Sequence, residues 1–162
     1  MRRAAMLLSA VLPLASSLLP LGLTTSAATQ ARDPAERLSS AKTVRCEFST
    51  MASGDWKDGV PQGTIKPAKM SLRFENVDAD GGSAQAIGQF GASTVNVRVA
   101  TSSLHFLQSF RDGPLYVTTL IGRPAPDGRM PAVHTRHEYT DVSLPGYTSR
   151  PEQYYGLCAI EP

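Results

Sequence analysis

Cysteine is scarce in this chain: there are two in 162 residues, beside a single tryptophan and an aromatic content of 7%. Two thiols allow one intramolecular pairing, and no local motif supplies the histidine that a cysteine nucleophile needs. A Gly-x-Ser-x-Gly elbow, a phosphate-cradling loop and a dinucleotide fingerprint are all missing, so the chemistries they serve have no foothold. No amphipathic helical stretch of useful length occurs, which argues against a helical bundle. After the N-terminal region there is no second apolar run long enough to span a bilayer. Internal repeats and low-complexity segments are absent, and the length suits one domain rather than a multidomain enzyme.

An excess of one charge is missing too. The 16 Lys+Arg exceed the 14 Asp+Glu by two, and Arg2 and Arg3 account for that difference. These two residues precede an Ala/Leu-rich run from about Ala4 to Leu23, and Ser26-Ala27-Ala28 follows with the small residues that a signal peptidase reads. Residues 1–28 thus have the three-part layout of a cleaved secretory signal peptide. Pro13 and Pro20 interrupt the run and argue against a stable membrane anchor, while the lack of a nearby cysteine excludes lipoprotein processing. The expected product is periplasmic or secreted, electrically balanced and without a membrane span. Its basic residues are interspersed with acidic ones, so no nucleic-acid partner is expected.

Both cysteines, Cys46 and Cys158, lie in the part that is exported. In an oxidising compartment a Cys46–Cys158 disulfide is expected, closing nearly the whole domain into one loop. Residues 29–42 are polar and read as a flexible lead-in or one helical turn, leaving residues 43–162 as a single β domain. There the apolar residues recur with a period of two, as half-buried strands require. Val44, Cys46 and Phe48 alternate with Arg45, Glu47 and Ser49; Met70, Leu72 and Phe74 alternate with Ser71 and Arg73. Further strands are expected around Gly63–Lys66, Ala84–Phe90, Thr94–Val99, Leu104–Phe110, Leu115–Ile121 and Met130–Tyr139. About eight short strands joined by turns predict an all-β fold, a small antiparallel meander barrel or sandwich. The Pro/Gly-punctuated tail would be pinned back onto the first strand by Cys158.

Three places carry residues suited to chemistry. Asn76, Asp78 and Asp80, with Gly81 following, match the first half of a calcium loop, but the twelfth position holds Ile87 instead of a bidentate Glu. A turn that uses Asp and Gly for positive φ explains the same residues. His134-Thr135-Arg136-His137-Glu138 is the densest polar cluster. On a strand His134 and Arg136 point to one face and His137 to the other, so the two histidines cannot share a metal without a bulge. His105, between Leu104 and Phe106, reads as a partly exposed strand residue. No cofactor is expected.

Two resemblances follow from these residues. Gly54-Asp55-Trp56, just after the first strand, resembles the Gly-x-Trp of lipocalin-like barrels, in which the Trp closes one barrel end. That resemblance implies a core position for Trp56. Ala132-Val133-His134-Thr135-Arg136-His137 and Gln153-Tyr154-Tyr155-Gly156-Leu157-Cys158 resemble small exported proteins of unknown function in Gram-negative bacteria. Those share an Ala-Val-His-x-Arg-His stretch and a late Gln-x-x-Gly-x-Cys ending. The likeness implies an exported, disulfide-bonded domain and no particular activity. The leading expectation is therefore a binding or interaction module, with an unidentified small molecule or envelope protein as partner. Its site would be a barrel mouth lined by Trp56, Tyr116, His134, Arg136 and His137. The alternatives are a protease inhibitor or envelope-stress factor using residues 29–42 as an arm, and a metal-assisted hydrolase using His134 and His137.

Overall fold

The computed structural model describes residues 33–88, 91–111, 113–139 and 149–162. The signal peptide expected over residues 1–28 lies outside the described residues. Eight antiparallel strands run in sequence order and close into a barrel, the last pairing with the first. They are β1 (Thr43–Lys57), β2 (Val60–Asp78), β3 (Ser83–Gly88), β4 (Gly91–Ala100), β5 (Ser103–Ser109), β6 (Leu115–Ile121), β7 (Met130–His137) and β8 (Glu152–Glu161). Of the expected meander barrel or sandwich, the barrel is the fold. The strand count of eight arises differently from the sequence reading: Gly63–Lys66 joins the Met70–Phe74 stretch in the long β2, and the C-terminal tail supplies β8. Pro67 does not end β2, because at that point the strand has β1 on one side and no β3 partner on the other. A proline is tolerated on such an edge.

The alternation read from the sequence is the division between barrel interior and exterior. Val44, Cys46 and Phe48 of β1 point inward with Phe74 of β2, Val95 and Val97 of β4, Leu104 and Phe106 of β5 and Leu120 of β6; all are buried. Phe74 and Phe106 stack with ring centroids 3.9 Å apart across the interior. At Ser49 a bulge inserts one residue of β1 against β8, while β2 sets two residues, Ala68 and Lys69, against Ser49, so the inward parity of β1 changes and Met51 becomes buried. Such an extra residue is how a strand in a closed barrel bends without losing both partners.

The seam between β1 and β8 is held covalently. Cys46 and Cys158 are direct cross-strand partners, both buried, with Cα atoms 4.0 Å apart, and their sulfurs are bonded. Two residues along, Gly156 lies opposite Phe48. A Cβ there would collide with the Glu47 carbonyl oxygen and stand 2.7 Å from the Phe48 Cα. Only glycine lets the two backbones approach this closely beside the bulge.

One barrel end is closed by the segment before β1. Helix α1 (Pro34–Ser39) starts at Asp33, whose carboxylate accepts the Ala35 N–H at 3.0 Å, with Pro34 in the first turn. Leu38 is fully buried, and its Cδ1 fills the space where a Gly122 side chain would stand. Arg37 Nη2 donates to the Gly128 carbonyl at 2.9 Å, and Lys42 N–H donates to the Glu161 carbonyl at 2.9 Å. From Asp33 onward, the segment read as a flexible lead-in is therefore packed into the domain. At the other end β1 and β2 run on past the barrel as a two-stranded ribbon, turned by Asp58 (φ 52°) and Gly59 (φ 78°). Positive φ at both turn residues is the geometry that Asp-Gly favours in two-residue hairpins.

The cross-link joins positions 112 residues apart, and a loop that long stabilises by about 4–5 kcal/mol in the chain-entropy account. A Cys46→Ala/Cys158→Ala double variant is expected to lose most of that in urea unfolding; an unchanged midpoint would mean that strand pairing alone holds the seam. Gly156→Ala is expected to cost more than about 2 kcal/mol or to prevent folding, read by the same titration.

Candidate functional site

The polar residues of β6, β7 and β8 meet on two neighbouring rungs inside the end opposite α1. Register pairs Thr118 with His134 and His134 with Tyr154 on one rung. On the next, Tyr116 pairs with Arg136 and Arg136 with Glu152. Residues two apart on a strand share a face, so the two rungs form one patch on the barrel interior.

Within the patch His134 is buried. Arg136 Nε donates to its Nε2 at 3.4 Å, which leaves Nδ1 carrying the proton and donating to Thr118 Oγ1 at 2.8 Å. Phe48, Tyr116 and Tyr154 surround the ring with centroids 6.0, 5.8 and 6.0 Å away. Burial first, and the adjacent Arg136 charge second, push the His134 pKa down to about 3. The imidazole is therefore neutral at physiological pH. The Arg136 guanidinium lies 5.3 Å from the Tyr116 centroid and 5.2 Å from that of Tyr154, within cation–π range of both rings. Its Nη2 also meets Met70 Sδ at 3.3 Å. Each tyrosine hydroxyl is anchored on a carboxylate: Tyr116 donates to Glu138 at 3.0 Å and Tyr154 to Glu152 at 2.6 Å. Burial and the Glu152 hydrogen bond raise the Tyr154 pKa to about 12.

A cavity of about 130 Å³ lies against this patch, walled by Phe74, Ala86, Val95, Phe106 and Gln108 together with Tyr116, Thr118, His134 and Arg136. Its polar groups are Tyr116, Thr118, His134 and Arg136 of β6 and β7 with Gln108 of β5 and Arg73 of β2, and its apolar wall comes from β2 to β5. A larger groove of about 730 Å³ crosses the outer wall at β1, β2 and β8, between Glu47, Ser49, Lys69, Arg129 and Leu157. Arg129 is already shared between Glu47 and Asp127 there. The interior cavity is the one on which aromatic, cationic and neutral hydrogen-bonding groups converge, as ligand sites require.

Of the residues proposed from the sequence, the structure brings Tyr116, His134 and Arg136 together and separates Trp56 and His137 from them. Trp56 does not plug a barrel end, contrary to the lipocalin-like expectation. The β1–β2 ribbon carries it past the barrel, where it is 54% exposed and packs edge-on to Tyr139 at 5.8 Å. His137 is exposed on the outer face, so the metal-assisted reading has its two histidines on opposite sides of the wall. Asp78 Oδ1 accepts the Gly81 N–H at 2.8 Å, and Asn76 has φ 52° at an irregularity in β2. Among the described residues no three His, Cys, Asp or Glu side chains gather as a metal site. His105 makes an outer polar ladder, with Nε2 on Ser103 Oγ at 2.8 Å and Nδ1 on Thr119 Oγ1 at 3.0 Å. The sequence reading missed Tyr154, Thr118 and Glu152. Their signal was present as the Gln153–Gly156 stretch and the Thr118-Thr119 pair, but assigning it needed the β6–β7–β8 register.

Neither family models, nor curated proteins, nor solved structures contain a match to this chain.

The His134 environment makes stability depend on pH. Its folded pKa is depressed below the unfolded 6.5, so the unfolded chain binds a proton first as pH falls. The stabilisation is therefore present above pH 6.5 and declines towards the folded value. Between pH 6.5 and 4.5 the loss is expected to reach about 2–3 kcal/mol, measured by urea unfolding. His134→Gln should flatten that slope; an equal slope in both proteins would show that other groups cause it.

Proposed function

We propose that this chain is an exported binding module whose barrel interior receives a small molecule at the Tyr116–His134–Arg136 patch. The observation that carries the reading is a cationic side chain held between two tyrosines at the edge of an apolar cavity inside the barrel. A barrel stabilised for its own sake would fill this volume with aliphatic side chains, as it does at the α1 end with Leu38, Leu104, Leu120 and Met130. Placing an arginine, a neutral histidine and two tyrosines here instead costs burial of polar groups, which a binding role accounts for. Export rests on the signal-peptide layout and agrees with the disulfide, since such bonds persist in oxidising compartments. No helix among the described residues is long and apolar enough to cross a membrane.

The alternatives draw less support from the geometry. An inhibitory arm at residues 29–42 would have to release Leu38, which is fully buried. Hydrolysis through His134 and His137 would need both on one face, and they are not.

Titrating the isotopically labelled protein with small aromatic and aliphatic compounds should move amide resonances of Phe106, Thr118, His134 and Arg136 in NMR spectra. Ala86→Phe, which fills the cavity, should abolish those shifts while preserving the fold. Shifts confined to the outer groove around Lys69 and Leu157 would overturn the reading.

A further inference from the structure

The chemistry at Arg136 identifies the kind of molecule the cavity takes. Arg45, Arg73, Arg129 and Arg150 each pair with a carboxylate. Among the described residues Arg136 has no carboxylate within ion-pair distance, although it is partly buried. Its hydrogen-bond partners are a neutral ring nitrogen and a thioether sulfur, the latter a weak acceptor. A guanidinium carries five N–H donors in a planar fork, so those two contacts leave donor capacity on the terminal nitrogens. The Tyr116 and Tyr154 ring centroids stand 5.3 and 5.2 Å from the guanidinium carbon, and the remaining N–H donors point along the plane of the fork, the direction from which a carboxylate binds. The carboxylates of Glu138 and Glu152, on the flanking tyrosines, are already engaged by the hydroxyls of Tyr116 and Tyr154.

We infer that the barrel binds a small organic monocarboxylate, its anionic head on the edge of the Arg136 guanidinium and its apolar body against Phe74 and Phe106. This inference rests on the binding-module reading above and adds the ligand's chemical class. The charge count favours a single negative charge. His134 contributes none of its own and Arg73, the other cation along the cavity wall, is paired with Glu75, so Arg136 is the cation left to face the ligand, its flanking tyrosines holding Glu138 and Glu152. A phosphate dianion would leave one charge unbalanced beside those two carboxylates, whereas a carboxylate balances the arginine and matches its fork bidentately. The body is limited by volume. The cavity, at about 130 Å³, is close to the roughly 150 Å³ apolar cavity that accepts benzene. One aromatic ring or a short acyl chain fits, while a long lipid chain does not fit inside.

Benzoate and benzamide are nearly the same in shape and differ in charge, so calorimetric titration of both into the purified protein tests the inference. Benzoate is expected to bind at least 10-fold more tightly than benzamide. Arg136→Gln should bring the two affinities together, and Arg136→Lys should keep part of the preference, with circular dichroism and melting curves verifying that each variant folds. The comparison on the unaltered protein stands even where a variant fails to fold. Equal binding of both compounds, with Ala86→Phe abolishing it, would overturn the carboxylate assignment and leave the binding-module reading in place. Preference for benzoate that survives in folded Arg136→Gln would overturn it in the same way. Absence of binding by either compound, with no shift at Phe106, Thr118 or His134, would overturn both.

Discussion

Closure of the first strand onto the last is the constraint on which the rest of this structure depends. An open eight-stranded sheet would expose its inner face and leave unpaired backbone at two edges. Here β8 satisfies β1 along ten residue pairs, from Thr43–Glu161 to Ser53–Glu152. The Cys46–Cys158 bond fixes that register, because a slip of one residue would turn the two sulfurs to opposite faces. Gly156 allows the backbones to meet beside the Ser49 bulge. The same pairing brings Tyr154 and Glu152 beside His134 and Arg136. The disulfide therefore acts on the site as well as on stability, since it orients the strand that supplies one face of the arginine clamp.

The two barrel ends are treated differently. At one, α1 inserts Leu38 and the interior is packed with aliphatic side chains. At the other, the inward positions of the same strands change character: Leu120 gives way to Thr118 and Tyr116, and Met130 and Ala132 give way to His134 and Arg136. Because strand residues alternate between faces, this change along β6 and β7 is a gradient along the barrel axis, from apolar to polar. The stacked Phe74 and Phe106 mark the transition. Apart from the terminal donors of Arg136, the polar groups of the patch are partnered. The imidazole is bonded through both nitrogens and each tyrosine hydroxyl holds a carboxylate, so these side chains hold one another in place. For the binding role proposed above, such preorganisation would lower the ordering cost.

Much of this was legible in the sequence, because strand faces depend on neighbours two residues apart. The period-two pattern at Val44–Phe48 and Met70–Phe74 pointed to the β class and to the inward residues there. The placement of His134 and Arg136 on one face, with His137 on the other, followed from the same rule. Two cysteines with a single available pairing determined the disulfide. What the sequence by itself did not determine was which distant residues share a rung. Tyr154 stands beside His134 only because β8 pairs with β7 in one register, and that register depends on closure at the β1 seam. Trp56 shows the same dependence from the other side. A Gly-x-Trp after a strand is compatible with a buried plug, but β1 and β2 pair with each other beyond the barrel and carry the ring outward. Local alternation is a property of the chain, whereas cross-strand neighbours, the cavity they enclose and the clamp on Arg136 are properties of the closed sheet. Only the tertiary structure could decide them, because non-local pairing is where the free energy of a β fold is gained.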